Sequence, residues 1–439
     1  MAHNSITELL QSAQKIAEEA EIFSLSAQET LVHFEANKLK QVQSKEISSV
    51  ALRIIKEGRI GLAQSVGDMI PGTLIDMAVE TAQFGLPARF RFPSLKDYPE
   101  VNVFDPDVEK INVERMIELG NELIAKIKNY NPDILCDVEV SKGRNATHLL
   151  NSQGAEAIYD KNFFSLALEG ILIQNTDMLF VGDEEISCHL PPSIDGLAAR
   201  VIEQIELAKD KASIPTKSLP VIFTPRGVAS ALLTPLIIAF NGKMVIEGAS
   251  LLKNKLGEQL FDPRLNLWDD AIIPYGVSSC PCDDEGVPSQ RLSLITNGVV
   301  SNFLYDLQTA ALAGAESNGH GKRAGGGSPK PTVSSIIIGE GNTSFQTMIK
   351  DAKEALIVEQ LIGGGQGDVL SGDFSGNVLL GYKVENGEIV GRVKDTMIAG
   401  NIYQVLKGPL ELSREMRWIN GILQSPWLYC PCISVAAKG

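Results

Sequence analysis

Prolines at positions 87, 93, 99 and 106 fall within one short stretch, residues 87–107. Proline lacks an amide hydrogen and fixes φ, so neither a helix interior nor a central strand tolerates that density, and the stretch is expected to run as an irregular linker. It sets off an N-terminal unit, residues 1–86, from everything that follows. With 439 residues in all, the chain exceeds what one core usually serves. A central unit, residues 108–215, and a C-terminal unit, residues 216–439, are therefore expected after the linker.

Apolar residues at helical spacing (Leu9, Leu10, Ala13, Ile16, Ala17) predict an amphipathic helix over 6–20. Residues 22–34 and 49–55 alternate and are rich in β-branched side chains, and Lys56-Glu57-Gly58-Arg59 turns into a third strand at 60–65. Helical spacing returns over 72–84. Past the linker the pattern predicts a helix at 113–128, strands at 134–141, 148–150 and 155–173 around the turn Asn151-Ser152-Gln153-Gly154, and a closing helix at 194–212. From Leu219 onward strand and turn signals recur closely. Asn297-Gly298 and Asn386-Gly387 each separate two strand-like runs, which is the preferred chemistry of a two-residue hairpin turn. The fold class expected is α+β: N-terminal α/β units followed by a β-rich C-terminal domain, curved or barrel-like.

Composition excludes several classes of function. With 39 basic and 54 acidic residues the net charge is −15, and the sequence has no basic patch to offset it, so no nucleic acid partner is expected. The longest apolar run, residues 228–240, is too short to span a bilayer, and the first ten residues lack a basic stretch followed by an apolar core. A cytoplasmic location and no membrane association follow as expectations. Six cysteines are too few for a disulfide framework, so reduced thiols are expected. Four of them form the repeated tripeptides Cys280-Pro281-Cys282 and Cys430-Pro431-Cys432, which together have the sulfurs of a structural metal site. Zinc sites usually place two or more residues between paired cysteines, which argues for ordinary thiols.

The densest cluster of chemistry-bearing residues lies between Ser278 and Arg323. It holds Cys280, Cys282, Asp283, Asp284 and Glu285, then the loop Asn318-Gly319-His320-Gly321-Lys322-Arg323. Turn chemistry alone favours a polar turn at Asp283-Asp284-Glu285-Gly286. The gathering of acids, thiols, a histidine and two cations on loops over a β scaffold keeps a site open beside it.

The same residues carry a resemblance. Asp283-Asp284-Glu285-Gly286-Val287-Pro288, then Leu294-Ile295-Thr296-Asn297-Gly298 and Tyr305-Asp306, is similar to the run DDEGxP, LIxNG, YD of the TldD/PmbA family. Gly363-Gly364-Gly365-Gln366, Ser371-Gly372-Asp373-Phe374, Glu385-Asn386-Gly387 and Ile398-Ala399-Gly400-Asn401 resemble its closing segments in order and spacing. Weaker likenesses occur at 58–63 and 151–154, so the resemblance spans nearly the whole chain and is strongest from Leu219. The family, also labelled a modulator of DNA gyrase, implies a metalloprotease of TldD-like and PmbA/TldE-like subunits. Its zinc is held in the TldD subunit by two histidines of an HExxxH helix and a later cysteine, with the glutamate as proton acceptor.

Alignment with that helix places the histidine-glutamate pair at Thr234 and Pro235 and the second histidine at Ile238 or Ala239. No cysteine lies between Ile402 and Tyr429. The resemblance is therefore to the PmbA/TldE side, with no catalytic residue, no metal ligand and no cofactor expected in this chain and zinc expected only in a TldD-like partner. It implies a dimer, with that partner or with a second copy, that binds extended peptide and serves proteolysis or peptide maturation. Asp283, Asp284, Glu285, His320, Lys322 and Arg323 are the candidate substrate-binding residues. Two other readings stay open: a stand-alone metal-dependent peptidase with a metal site outside the family pattern, and a non-enzymatic protein-binding modulator.

Overall fold

The computed structural model describes residues 3–67, 69–94, 97–323, 327–365 and 367–438, with side chains from Ile6 onward. Gln366 of the glycine-rich run lies outside the described residues. No helix among the described residues is long and apolar enough to cross a membrane.

Strands β1 (Glu19–Glu35), β2 (Lys38–Lys56) and β3 (Arg59–Val66) precede the proline-rich segment, and β4 (Leu135–Asn151), β5 (Glu156–Gln174) and β6 (Asp177–Ser187) follow it. All six join one antiparallel sheet in the order β3-β2-β1-β4-β5-β6. The proline-rich segment thus carries the chain to the other side of β1 within that sheet. Residues 142–147, too polar to be read as strand, belong to an unbroken β4 because β1 and β5 pair with them on both sides. Cross-strand partners override weak local propensity there.

Helices α1 (His3–Ala13) and α2 (Pro71–Phe84) pack with β1 to β3 around Leu52, Ile54 and Ala78. α1 stops short of the expected end at residue 20, since Glu18 already donates to the Ile55 carbonyl and Ala20 to the Ser152 hydroxyl as β1 begins. The short α3 (Pro106–Lys110) leads into α4 (Val113–Tyr130). α4 and α5 (Asp195–Leu207) form a layer with one face on Phe34, Val138 and Leu168 and the other toward Ile222, Ile357 and Leu380. α5 ends before the expected residue 212, because Ala212 donates to the Arg392 carbonyl and so joins the C-terminal sheet.

That sheet is built from β7 (Lys217–Phe223), β8 (Leu267–Asp270), β9 (Arg291–Thr296), β10 (Val299–Val300), β13 (Ile336–Ile338), β14 (Glu354–Ile362), β15 (Asp373–Glu385), β16 (Glu388–Arg392), β17 (Thr396–Asn401), β18 (Glu411–Ile419) and β19 (Leu423–Ala437). Between them, β11 (Gly321–Lys322) and β12 (Lys330–Pro331) make a separate ladder. The path β19-β17-β15-β14-β7 closes when β7 pairs back onto β19, giving a five-stranded barrel with no free edge in its wall. The fold is α+β with the expected barrel-like C-terminal part. Both Asn-Gly turns have positive φ at each residue, 50° and 79° at 297–298 and 50° and 85° at 386–387, as tight hairpins require.

Asp177, at the start of β6, joins the six-stranded sheet to the barrel by accepting from Lys211, Arg392 and Lys394, each at 2.6 Å. Burial opposes its ionisation, but hydrogen bonds from Lys211, Lys394 and Arg392 outweigh it and hold the carboxyl well below the usual range. Asp177→Asn leaves the buried Arg392 without its counter-charge and is expected to cost about 3 kcal/mol in urea unfolding at neutral pH. Because the folded pKa is the lower one, the stabilisation is present above the ordinary aspartate value of about 4 and is lost as pH falls below it. The gap between wild type and variant should therefore close in acid. A gap that is constant with pH would show that the charge is not its source.

Candidate functional site

Residues opposite one another in a ladder share a face of the sheet. Val66, Ser49, Leu25, Thr147 and Tyr159 form one such row across β3, β2, β1, β4 and β5, and Ile47, Ala27, Asn145 and Lys161 form the next. These rows line one side of a cavity of about 610 Å³, whose other wall comes from the C-terminal part through Cys280, Asp284, Lys322, Arg323 and Ser334. The cavity thus lies between the long-stranded sheet and the loops that carry the motif cluster.

Asp283 ties those loops together. Its Oδ1 accepts from the amides of Glu285 and Val287 at 3.0 and 2.9 Å, and its Oδ2 from the amide of Gly321 at 2.8 Å. Burial first, and Glu285 second, push its carboxyl up against the opposing pull of the Val287 and Gly321 amides. Asp284 then accepts from the Arg323 amide at 2.7 Å, which fixes Lys322 and Arg323 relative to the turn. Residue 321 has to be glycine, since a Cβ there would sit 2.4 Å from Glu285 Oε2.

Behind the wall lies a chain of buried charges. Glu285 pairs with Arg53 at 2.5 Å, Arg53 pairs with Glu21 at 3.0 Å, and Glu21 also accepts from Arg323. The proline-rich segment covers it, with the rings of Phe90 and Phe92 at 5.0 and 4.9 Å from the Arg53 guanidinium. His320 is equally enclosed: Nε2 lies 2.9 Å from Asp269 and Nδ1 2.9 Å from Asn318 Oδ1. Of the six candidate residues, Asp284, Lys322 and Arg323 reach the cavity, while Asp283, Glu285 and His320 hold the scaffold behind it. Tyr159, Lys161 and Ser334 also line the cavity and were not read from the sequence. A tyrosine and a lysine alternating in a strand look the same there as on a solvated face.

The segment aligned with the family's zinc helix forms two short helices, α6 (Pro225–Ala231) and α7 (Leu233–Phe240), which break at Leu232. Pro235 is buried in the first turn of α7, where an amide has no intrahelical partner to lose. Thr234 is exposed, Ile238 half-buried and Ala239 buried. A hydroxyl, a pyrrolidine ring and two alkyl groups do not fit zinc, which takes imidazole, thiolate or carboxylate. Among the described residues no three His, Cys, Asp or Glu side chains gather as a metal ion would need. The two Cys-Pro-Cys tripeptides serve different places: Cys280 lines the cavity, whereas Cys430 packs into the barrel core beside a bulge in β19 between Cys430 and Ile433.

Residues 216–437 match the C-terminal domain of the PmbA/TldA metallopeptidases, and residues 20–82 match domain 1 of the same group. The chain belongs to the TldD/PmbA family. Among TldD/PmbA relatives, the metalloprotease PmbA of Escherichia coli O157:H7 is 33% identical over 201 residues, 46% of this chain and 42% of that one. An uncharacterized protein of Methanocaldococcus jannaschii is 26% identical over 414 residues, 93% of this chain and 94% of that one. The crystal structure of TldE from Thermococcus kodakarensis shares the fold with a TM-score of 0.89 at 23% identity, over 99% of this chain and 100% of that one. A Thermotoga maritima protein described as a modulator of a DNA gyrase does so with 0.88 at 23% identity, over 98% and 100%.

Proposed function

We propose that this TldD/PmbA-family chain is a PmbA/TldE-like subunit that binds extended peptide and acts in proteolysis or peptide maturation beside a zinc-bearing TldD-like partner. The observation that carries this reading is α7: the helix that the sequence resemblance aligns with the family's metal helix has Thr234, Pro235, Ile238 and Ala239 at the positions of the ligands and base, and none of them can bind zinc. A chain so built contributes to a protease by shaping the substrate channel, and the cavity is the natural place for it. β2 begins at Lys38 but pairs with β3 only from Ser49, so among the described residues the outer edge of 38–47 is open. Ile47 and Ser49 line the cavity mouth. A peptide that added to this edge by main-chain hydrogen bonds would run into the cavity without sequence-specific contacts.

Elemental analysis of the purified chain, alone and after mixing with a TldD-like protein, tests the subunit role. Far less than one zinc per isolated chain is expected, and about one per pair in the mixture. About one zinc per isolated chain would overturn the reading in favour of a stand-alone metallopeptidase.

A further inference from the structure

Two cations on the cavity wall make no direct ion pair with a carboxylate among the described residues, although Asp284 on the same wall favours the charged form of both. Lys161 Nζ donates to the carbonyls of Val277 at 2.9 Å and Ser279 at 3.3 Å, and Lys322 Nζ donates to Cys280 Sγ at 2.9 Å. Neither ammonium has a carboxylate salt-bridge partner among the described residues, yet both line the cavity. They converge on adjacent residues, 279 and 280. Arg323 differs, for its guanidinium is spent on Glu21 and on the carbonyls of Asp284 and Gly327. Asp284, the acid on this wall, accepts the Arg323 amide through Oδ2.

A third donor stands with the two lysines. Ser334 lines the same cavity, is 2% exposed, and its hydroxyl has no hydrogen-bond partner among the described residues. Its position is fixed, because its amide donates to Asp269 at 2.8 Å. Buried polar groups are normally satisfied, and an ammonium without a counter-ion in low dielectric is costly. Each ammonium has three hydrogens to donate, so both lysines keep capacity for an incoming acceptor.

We infer that the cavity takes a carboxylate-bearing peptide, with one carboxylate of the peptide received by Lys161 and Lys322 and the Ser334 hydroxyl as a further donor. This rests on the peptide-binding reading above and names the substrate class of that site. The apolar floor, Phe23, Leu25 and Val66, accepts neighbouring side chains of any apolar kind. Specificity then comes from one charge-assisted contact set and not from sequence.

The test is calorimetric titration of the full chain with three otherwise identical decapeptides. One has a central glutamate and an amidated C-terminus, one a glutamine and a free C-terminal carboxylate, and one a glutamine and an amidated C-terminus. At least one carboxylate peptide is expected to bind about tenfold or more tightly than the neutral one, and which of the two does so identifies a side-chain or a terminal carboxylate. Lys161→Met with Lys322→Met should bring the carboxylate peptide down to the affinity of the neutral one, and the paired arginine variant should retain the preference. Equal binding of all three peptides to the wild-type chain would overturn the carboxylate inference while leaving the peptide reading intact. Failure of all three to bind would overturn both. The wild-type comparison decides even if the methionine variant does not fold.

Discussion

Replacing Arg53 with methionine is expected to lower stability by about 3–5 kcal/mol, because removing one member of a buried ionic network strands its partners. Methionine fills much of the volume and keeps the contact with Phe90 and Phe92, so lost packing is not the main cost. Among the described residues, Glu285 loses its one direct ion pair and keeps the Leu307 amide at 2.7 Å, while Glu21 keeps the ion pair with Arg323. Both acids are fully buried. Arg53 and Glu21 come from β2 and β1, whereas Glu285 and Arg323 come from the C-terminal loops, so the loss falls on the seam between the two halves of the molecule. Unfolding in urea should show it as a lower midpoint. Arg53→Met with Glu285→Gln should recover about 1–2 kcal/mol, since the second change removes the stranded charge that the first creates. A single variant within about 1 kcal/mol of wild type would mean that water reaches the network.

The network also explains what the sequence hid. Alternation found β1 and the second half of β2, the turn at 56–59 led into β3, helical spacing found α2 and α4, and Asn-Gly found both hairpins, because each is a local signal. The union of six strands in one sheet depends on β1 pairing with β4 across more than a hundred residues, and nothing local records that pairing. The site divides in the same way. The stretch from Cys280 to Arg323 stood out by its density of special residues, and three of its six candidates do face the cavity. Glu285 and His320 stood out equally, but their partners, Arg53 and Asp269, come from distant strands and turn them into scaffold. Lys161 and Ser334 did not stand out at all, since a lysine or serine in an ordinary strand or loop becomes notable only once burial leaves it without a counter-group.

The segments most like the family's closing motifs have an architectural role that a second large effect should expose. Phe374 in β15 lies directly opposite Gly400 in β17, and a Cβ at position 400 would be 2.6 Å from the Phe374 ring. The ring is 1% exposed and meets Phe223 edge-on, with centroids 6.2 Å apart, inside the barrel. Asn401 donates to Asp373 at 2.7 Å and to the Ser371 carbonyl at 2.8 Å, so the two motif segments lock together beside that contact. Phe374→Ala is expected to cost about 3–5 kcal/mol through the cavity it leaves. Gly400→Ala should cost about 1–3 kcal/mol, because the ring has a filled barrel behind it and little room to retreat. With both replaced, the methyl at 400 enters space that the ring vacated, so the double variant should be more stable than the sum of the single costs predicts, by about 1 kcal/mol or more. Strict additivity in denaturant unfolding would mean that glycine at 400 answers to the backbone alone and not to Phe374.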